Sequence, residues 1–189
     1  MPNLKIRAIL TQSCSVGCPY CYCSCENDRT MDKNLIDRLY EVALKTKEKY
    51  NFRGIRLVIS GGDPFQPRIR DSFLYLVEKM KPVLSNFWVV SLNPHHEDEA
   101  VDFAIQNRIP TVTAVNMDTR VDRMIEISSK LMKEGLLANC NLCLVDGKNN
   151  ERLLEVTEKY LLAELPIHVY VDYDPRRIIV DKDQILNSI

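Results

Sequence analysis

Six short runs rich in β-branched and apolar residues (KIRAIL, GIRLVIS, NFWVVSL, PTVTAVN, LANCNLCLV and PIHVYVDY) alternate strictly with five amphipathic stretches. The stretches are NLIDRLYEVALKTKEKY, RDSFLYLVEKMKPVL, DEAVDFAIQNR, VDRMIEISSKLMKEG and NERLLEVTEKYLLAEL. Within them apolar residues recur at spacings of three and four. Ile36, Leu39, Tyr40, Ala43 and Leu44, for example, line one face and leave Lys and Glu to solvent. Asp32 or Asn34 is placed to cap the first helix, and Gly135 to end the fourth. Repeated βα units with right-handed crossovers predict an α/β fold with a parallel sheet, open or curled into a partial (βα)6 barrel. No Gly/Ser linker, low-complexity tract or internal repeat interrupts the alternation, so residues 1–189 read as a single domain. The last stretch, RRIIVDKDQILNSI, reads as a short strand, a helix or a frayed end.

Composition narrows the function classes. At 46% hydrophobic residues the chain can bury a full core. Lys plus Arg (25) nearly balances Asp plus Glu (26), which leaves no field to draw in nucleic acid or an anionic membrane. The opening MPNLKIRAILTQSC has too short an apolar run for a signal peptide, and no apolar stretch approaches the roughly 18 residues of a membrane span. A cytoplasmic protein is expected. In that reducing compartment, clustered cysteines serve as metal ligands or redox groups more often than as disulfides.

Five of the seven cysteines fall in CSVGCPYCYCSC, directly after the first strand. In parallel βα architectures active sites lie at the carboxyl ends of the strands, so the long loop over residues 12–28 stands at the mouth of the fold. The next such loop is SGGDPF, after the second strand. Cys14, Cys18 and Cys21 stand at the spacing C-x3-C-x2-C, which suits three corners of a four-iron cluster and leaves one iron without a protein ligand. Zinc, with Cys23 or Cys25 as a fourth ligand, also satisfies the count. Thiols that merely pack fit poorly in a loop containing Ser13, Ser15 and Gly17.

With these motifs the chain resembles the radical S-adenosylmethionine (radical SAM) enzymes. CSVGCPYC matches that family's C-x3-C-x-aromatic-C, and SGGDP is a variant of its Gly-Gly-Glu-Pro motif, with Asp63 where Glu is common. The resemblance implies a [4Fe-4S] cluster on Cys14, Cys18 and Cys21, and S-adenosyl-L-methionine as the second cofactor. It further implies reductive cleavage of that cofactor to methionine and a 5′-deoxyadenosyl radical, which abstracts hydrogen from a substrate, and a one-electron reductant of the flavodoxin or ferredoxin type. Gly61 and Gly62 would bring backbone carbonyls to the methionyl ammonium, with Pro64 stiffening the turn. Asp63 would lie near that ammonium or order the loop, against the plainer reading of a turn carboxylate. Tyr20 corresponds to the aromatic near adenine, or fills the barrel mouth. Ser91, Asn93 and Asn116 end the third and fourth strands, where the family draws ribose and carboxylate contacts, or else form Asx turns.

Cys140 and Cys143 look like a C-x2-C knuckle, yet in a strand residues three apart point to opposite faces. A second cluster on Cys23 and Cys25 would need ligands from elsewhere, so one cluster is expected. His95 and His96, beside Glu97 and Asp98, read as a solvated helix-start cap rather than as ligands or acid–base groups, and Val145 as ordinary packing or an adenine wall. Arg176 and Arg177, with Tyr173 and Asp174, read as a solvated turn or as docking for a charged partner at the rim. By its likeness in size to the small activases of glycyl-radical enzymes, the chain is expected to act on a protein or peptide. The alternatives are a small-molecule-modifying enzyme and a non-catalytic electron-transfer module.

Overall fold

The computed structural model describes residues 1–14, 29–90, 97–115, 120–144 and 150–171. Six strands, β1 (Leu4–Thr11), β2 (Ile55–Gly61), β3 (Leu84–Val90), β4 (Thr111–Val115), β5 (Leu137–Leu144) and β6 (Ile167–Val171), form one sheet in sequence order. Every neighbouring pair is parallel. Between them run α1 (Lys33–Lys49), α2 (Arg70–Met80), α3 (Glu97–Gln106), α4 (Val121–Lys133) and α5 (Asn150–Leu162). The expected partial (βα)6 barrel is the observed architecture.

Local chemistry sets the ends of the helices. Asp32 caps α1: its carboxylate accepts from the Leu35 N–H at 2.7 Å. Gly135, at φ 67°, closes α4 in the left-handed conformation, with its own N–H bonded to the Met132 carbonyl and that of Leu136 to the Leu131 carbonyl. The second amphipathic stretch was expected to stay helical to Leu84, but α2 stops at Met80. A 3₁₀ turn, Lys81–Val83, follows because Pro82 has no N–H to continue the ladder.

The helix-facing side of the sheet carries the core. Ala8 and Leu10 of β1, Leu57 and Ile59 of β2, Val89 of β3 and Leu142 of β5 are all buried under the helices. Phe65, Phe73 and Phe103 meet in one aromatic cluster with centroids 5.9–6.4 Å apart, each side chain contributing about 1.5–3 kcal/mol by burial. Outside this layer an ion pair links each helix to the next: Asp37 with Lys79, Glu99 with Arg70, Asp98 with Arg123 and Asp122 with Lys159. Exposed pairs of this kind are worth about 0–1 kcal/mol, so they tune helix register more than stability. No helix among the described residues is long and apolar enough to cross a membrane.

One polar pocket interrupts the core between β4, β5, α4 and α5. The hydroxyls of Thr113 and Ser128 are bonded at 2.8 Å, and burial pushes the Cys140 thiol up in pKa against the opposing pull of both hydroxyls. The fully buried Tyr160 hydroxyl has no hydrogen-bond partner, its approach to Ser128 falling short of bonding geometry. A buried unpaired hydroxyl costs about 1–3 kcal/mol. Tyr160→Phe is therefore expected to raise the thermal midpoint; a lowered midpoint would show that the hydroxyl is satisfied.

Candidate functional site

At the carboxyl end of β1 the chain leaves the sheet and returns to the same place. Thr11 bridges Thr30 in antiparallel fashion, and the Gln12 N–H donates to the Arg29 carbonyl and the Met31 N–H to the Leu10 carbonyl, each at 2.8 Å. The side chains repeat the contact, with the two threonine hydroxyls 3.0 Å apart. The cysteine-bearing segment thus begins and ends at one pinned neck, on which Cys14 stands half-buried.

The end of β2 is clamped to that neck. The Gly62 N–H donates to the Thr11 carbonyl and the Asp63 N–H to the Ser13 carbonyl, both at 2.7 Å. The Ser13 carbonyl also accepts from Gln66 Nε2 at 3.1 Å. Arg68 is bonded to Gln66 Oε1 and reaches the Ser13 hydroxyl with its guanidinium. Strand ends this close leave no room for side chains. A Cβ on Gly61, whose φ is 129°, would stand 2.2 Å from the Thr11 carbonyl oxygen, and one on Gly62 would stand 2.0 Å from that of Ser13. The glycines were expected for close approach to a ligand; the structure adds that they permit close approach to the strand bearing Cys14.

Asp63 is 2% exposed, and its carboxylate accepts from the Phe65 N–H at 3.0 Å, the bond of an Asx turn. Pro64 beside it is buried. Phe65 then plugs the loop into the aromatic cluster, where the Arg70 guanidinium lies 4.9 Å from the Phe103 centroid. Gln66, Arg68 and Ser13 were not singled out from sequence. The polar QPR directly after the motif was the available signal, but its partner lies more than fifty residues away.

Of the expected cluster ligands, Cys14 lies within the described residues, and Cys18 and Cys21 lie outside them. Tyr20, Cys23, Cys25, Ser91, Asn93, His95, His96, Asn116, Val145, Tyr173, Asp174, Arg176 and Arg177 also lie outside, as does the side chain of Cys143. Cys140 is buried in the polar pocket under the helices, away from the neck. Two buried polar atoms flank the site without a partner: Oε1 of Gln12, two residues before Cys14, and Oγ of Ser60, directly before Gly61. Buried polar groups are normally hydrogen-bonded, so the site has unfilled capacity for a polar ligand. Among the described residues, the Cys14 thiol and these two oxygens are groups of the kind that a thiolate-held cluster and a polar cofactor would use.

Solved structures share this architecture. Streptococcus suis SuiB bound to S-adenosylmethionine aligns with a TM-score of 0.61 at 15% identity, over 92% of this chain and 41% of that one. anSMEcpe with bound AdoMet aligns at 0.63 and 14%, over 93% of this chain and 52% of that one. Native anSMEcpe with AdoMet and the Cp18Cys peptide aligns at 0.61 and 12%, over 93% and 52%. The chain spans about half or less of the length of these proteins, and the likeness establishes the fold, a partial barrel of parallel βα units. The chain belongs to the family described as 4Fe-4S single cluster domain, which matches residues 6–124. A [4Fe-4S] cluster is accordingly its cofactor. No curated protein sequence matches the chain.

Proposed function

We propose that the chain is a radical SAM enzyme that cleaves S-adenosyl-L-methionine reductively and abstracts hydrogen from a protein or peptide. The observation that carries this reading is the clamp of SGGDP onto residues 11–13: it joins the loop expected to bind the cofactor to the strand end that bears Cys14. An electron-transfer module has no use for such a joint.

Cys14, Cys18 and Cys21 hold the cluster in this reading. Gly61 and Gly62 present backbone to the methionyl group, while Asp63 and Pro64 fix the turn that aims it. Tyr20, Ser91, Asn93 and Asn116 supply the remaining cofactor contacts. When bound, the cluster would supply the one electron needed for reductive cleavage of the cofactor to methionine and a 5′-deoxyadenosyl radical able to take a hydrogen atom from the substrate. The protein's part is orientation and exclusion of water. The electron comes from a flavodoxin- or ferredoxin-type donor, and the reducing cytoplasm is the suitable compartment. A peptide substrate is favoured over a small molecule because a protein of this fold, native anSMEcpe, has been seen with a peptide as well as AdoMet.

The test is spectroscopic. Adding S-adenosylmethionine to the anaerobically reconstituted, reduced protein should change the paramagnetic resonance spectrum of the cluster, because one iron is open to the cofactor. An unchanged spectrum at saturating cofactor would remove the open-iron assignment.

A further inference from the structure

The side of the sheet away from the helices is lined very differently from the core side. Register partners share a face, so Lys5 lies beside Arg56, and Arg7, beside Val58, is the next position on that face. All three cations are exposed, and none makes an ion pair among the described residues. This contrasts with the outer helices, where cations are paired from one helix to the next. Like charges directly opposite each other in a sheet are destabilising. No described strand position on this face is Asp or Glu. Further up the face Ile9 is 44% exposed and Trp88 half-buried, while Val58 and Ser60 of the strand between them are buried.

The same two strands end at the site. At about 3.3 Å per residue, Arg56 lies ~13 Å below Ser60 and Lys5 lies ~20 Å below Thr11. An extended peptide covers that span in about four to six residues. We propose that this concave face is a binding groove for an acidic peptide segment. The reacting residue sits at the Cys14 end, apolar side chains lie along Ile9 and Trp88, and Asp or Glu side chains about four to six positions away meet Lys5, Arg7 and Arg56. This rests on the peptide-substrate reading above and adds the charge class of the substrate. Paired against carboxylates, the guanidinium groups form charge-assisted and bidentate bonds, and the repulsion between Lys5 and Arg56 becomes attraction to a common partner.

The experiment measures binding of a fluorescein-labelled peptide of about twelve residues, with a run of Glu at one end, to the reconstituted full chain by anisotropy. Counterparts carry Gln or Lys in place of Glu. The Glu peptide should bind at least about tenfold more tightly than the Gln peptide, a difference that shrinks with added salt. Arg7→Ala combined with Arg56→Ala should erase the preference, and Arg56→Glu should shift it toward the Lys peptide. Both variants should keep the parent's iron content and its substrate-free cofactor cleavage. Equal binding of the three peptides, an unchanged preference in the double variant, or stronger binding of inorganic phosphate than of the Glu peptide would overturn the proposal. Absent selectivity in the parent protein with intact cofactor cleavage refutes the groove alone; absent cleavage with intact selectivity in the parent refutes the radical reading alone.

Discussion

Replacing Cys14, Cys18 or Cys21 by Ala is expected to abolish the cluster, whereas Cys140→Ala should leave it at the parent's iron content. A four-iron cluster with three protein thiolates already has one iron open, so no thiolate is spare. Cys14 stands beside the neck formed by Thr11, Thr30 and Gln12, whose backbone is bonded on both sides. Cys140 is buried against Thr113 and Ser128 under the helices, and burial holds its thiol protonated. Iron and sulfide analysis of anaerobically reconstituted protein should give about four of each in the parent and near none in the three loop variants. Stoichiometric zinc without sulfide, dependent on Cys23 or Cys25, would favour the four-thiolate zinc site that the same spacing permits.

Gly61→Ala should be nearly as damaging, by a different route. Its φ of 129° is a region that L side chains rarely adopt, and the new Cβ would meet the Thr11 carbonyl oxygen at 2.2 Å. Backbone strain and overpacking together cost at least about 3 kcal/mol. Relief of the clash requires parting the ends of β1 and β2, which breaks the bond from Gly62 to Thr11 and loosens the support of Cys14. Denaturant unfolding should show the lost stability, and reconstitution should show reduced iron. Gly135→Ala makes a sharp control. Its φ of 67° is also left-handed, but nothing lies within 4 Å of the new Cβ, so only about 1–2 kcal/mol and no iron should be lost. Equal losses in the two variants would mean that conformation alone, and not the close approach, makes Gly61 necessary.

Most of the architecture was legible in the sequence because it rests on periodic burial. Ile36 and Ala43 repeat on one helical face, and Ala8 and Leu10 alternate with the exposed Arg7 and Ile9 along β1. The boundary of α2 was misplaced because an apolar Val83 kept the helical period past Pro82, whose missing N–H outweighs periodicity. The cysteine spacing and SGGDP marked the site, but not the structure that unites them. The bond of Gln66 to Ser13 and the bridge of Thr11 to Thr30 join residues far apart in sequence, and single side-chain-to-backbone contacts leave no periodic trace. The unpaired cations of the concave face were hidden for the same reason: Lys5 and Arg56 become neighbours only when β1 and β2 pair.

The central claim, that one cluster on the β1 loop and a cofactor on the β2 loop act together, is tested most directly by product analysis. Anaerobically reconstituted protein, reduced by a strong one-electron donor and incubated with S-adenosylmethionine, should slowly release methionine and 5′-deoxyadenosine in equal amounts even without substrate, as measured by chromatography. Cofactor recovered unchanged from protein whose cluster is verified as intact and reduced would contradict the account.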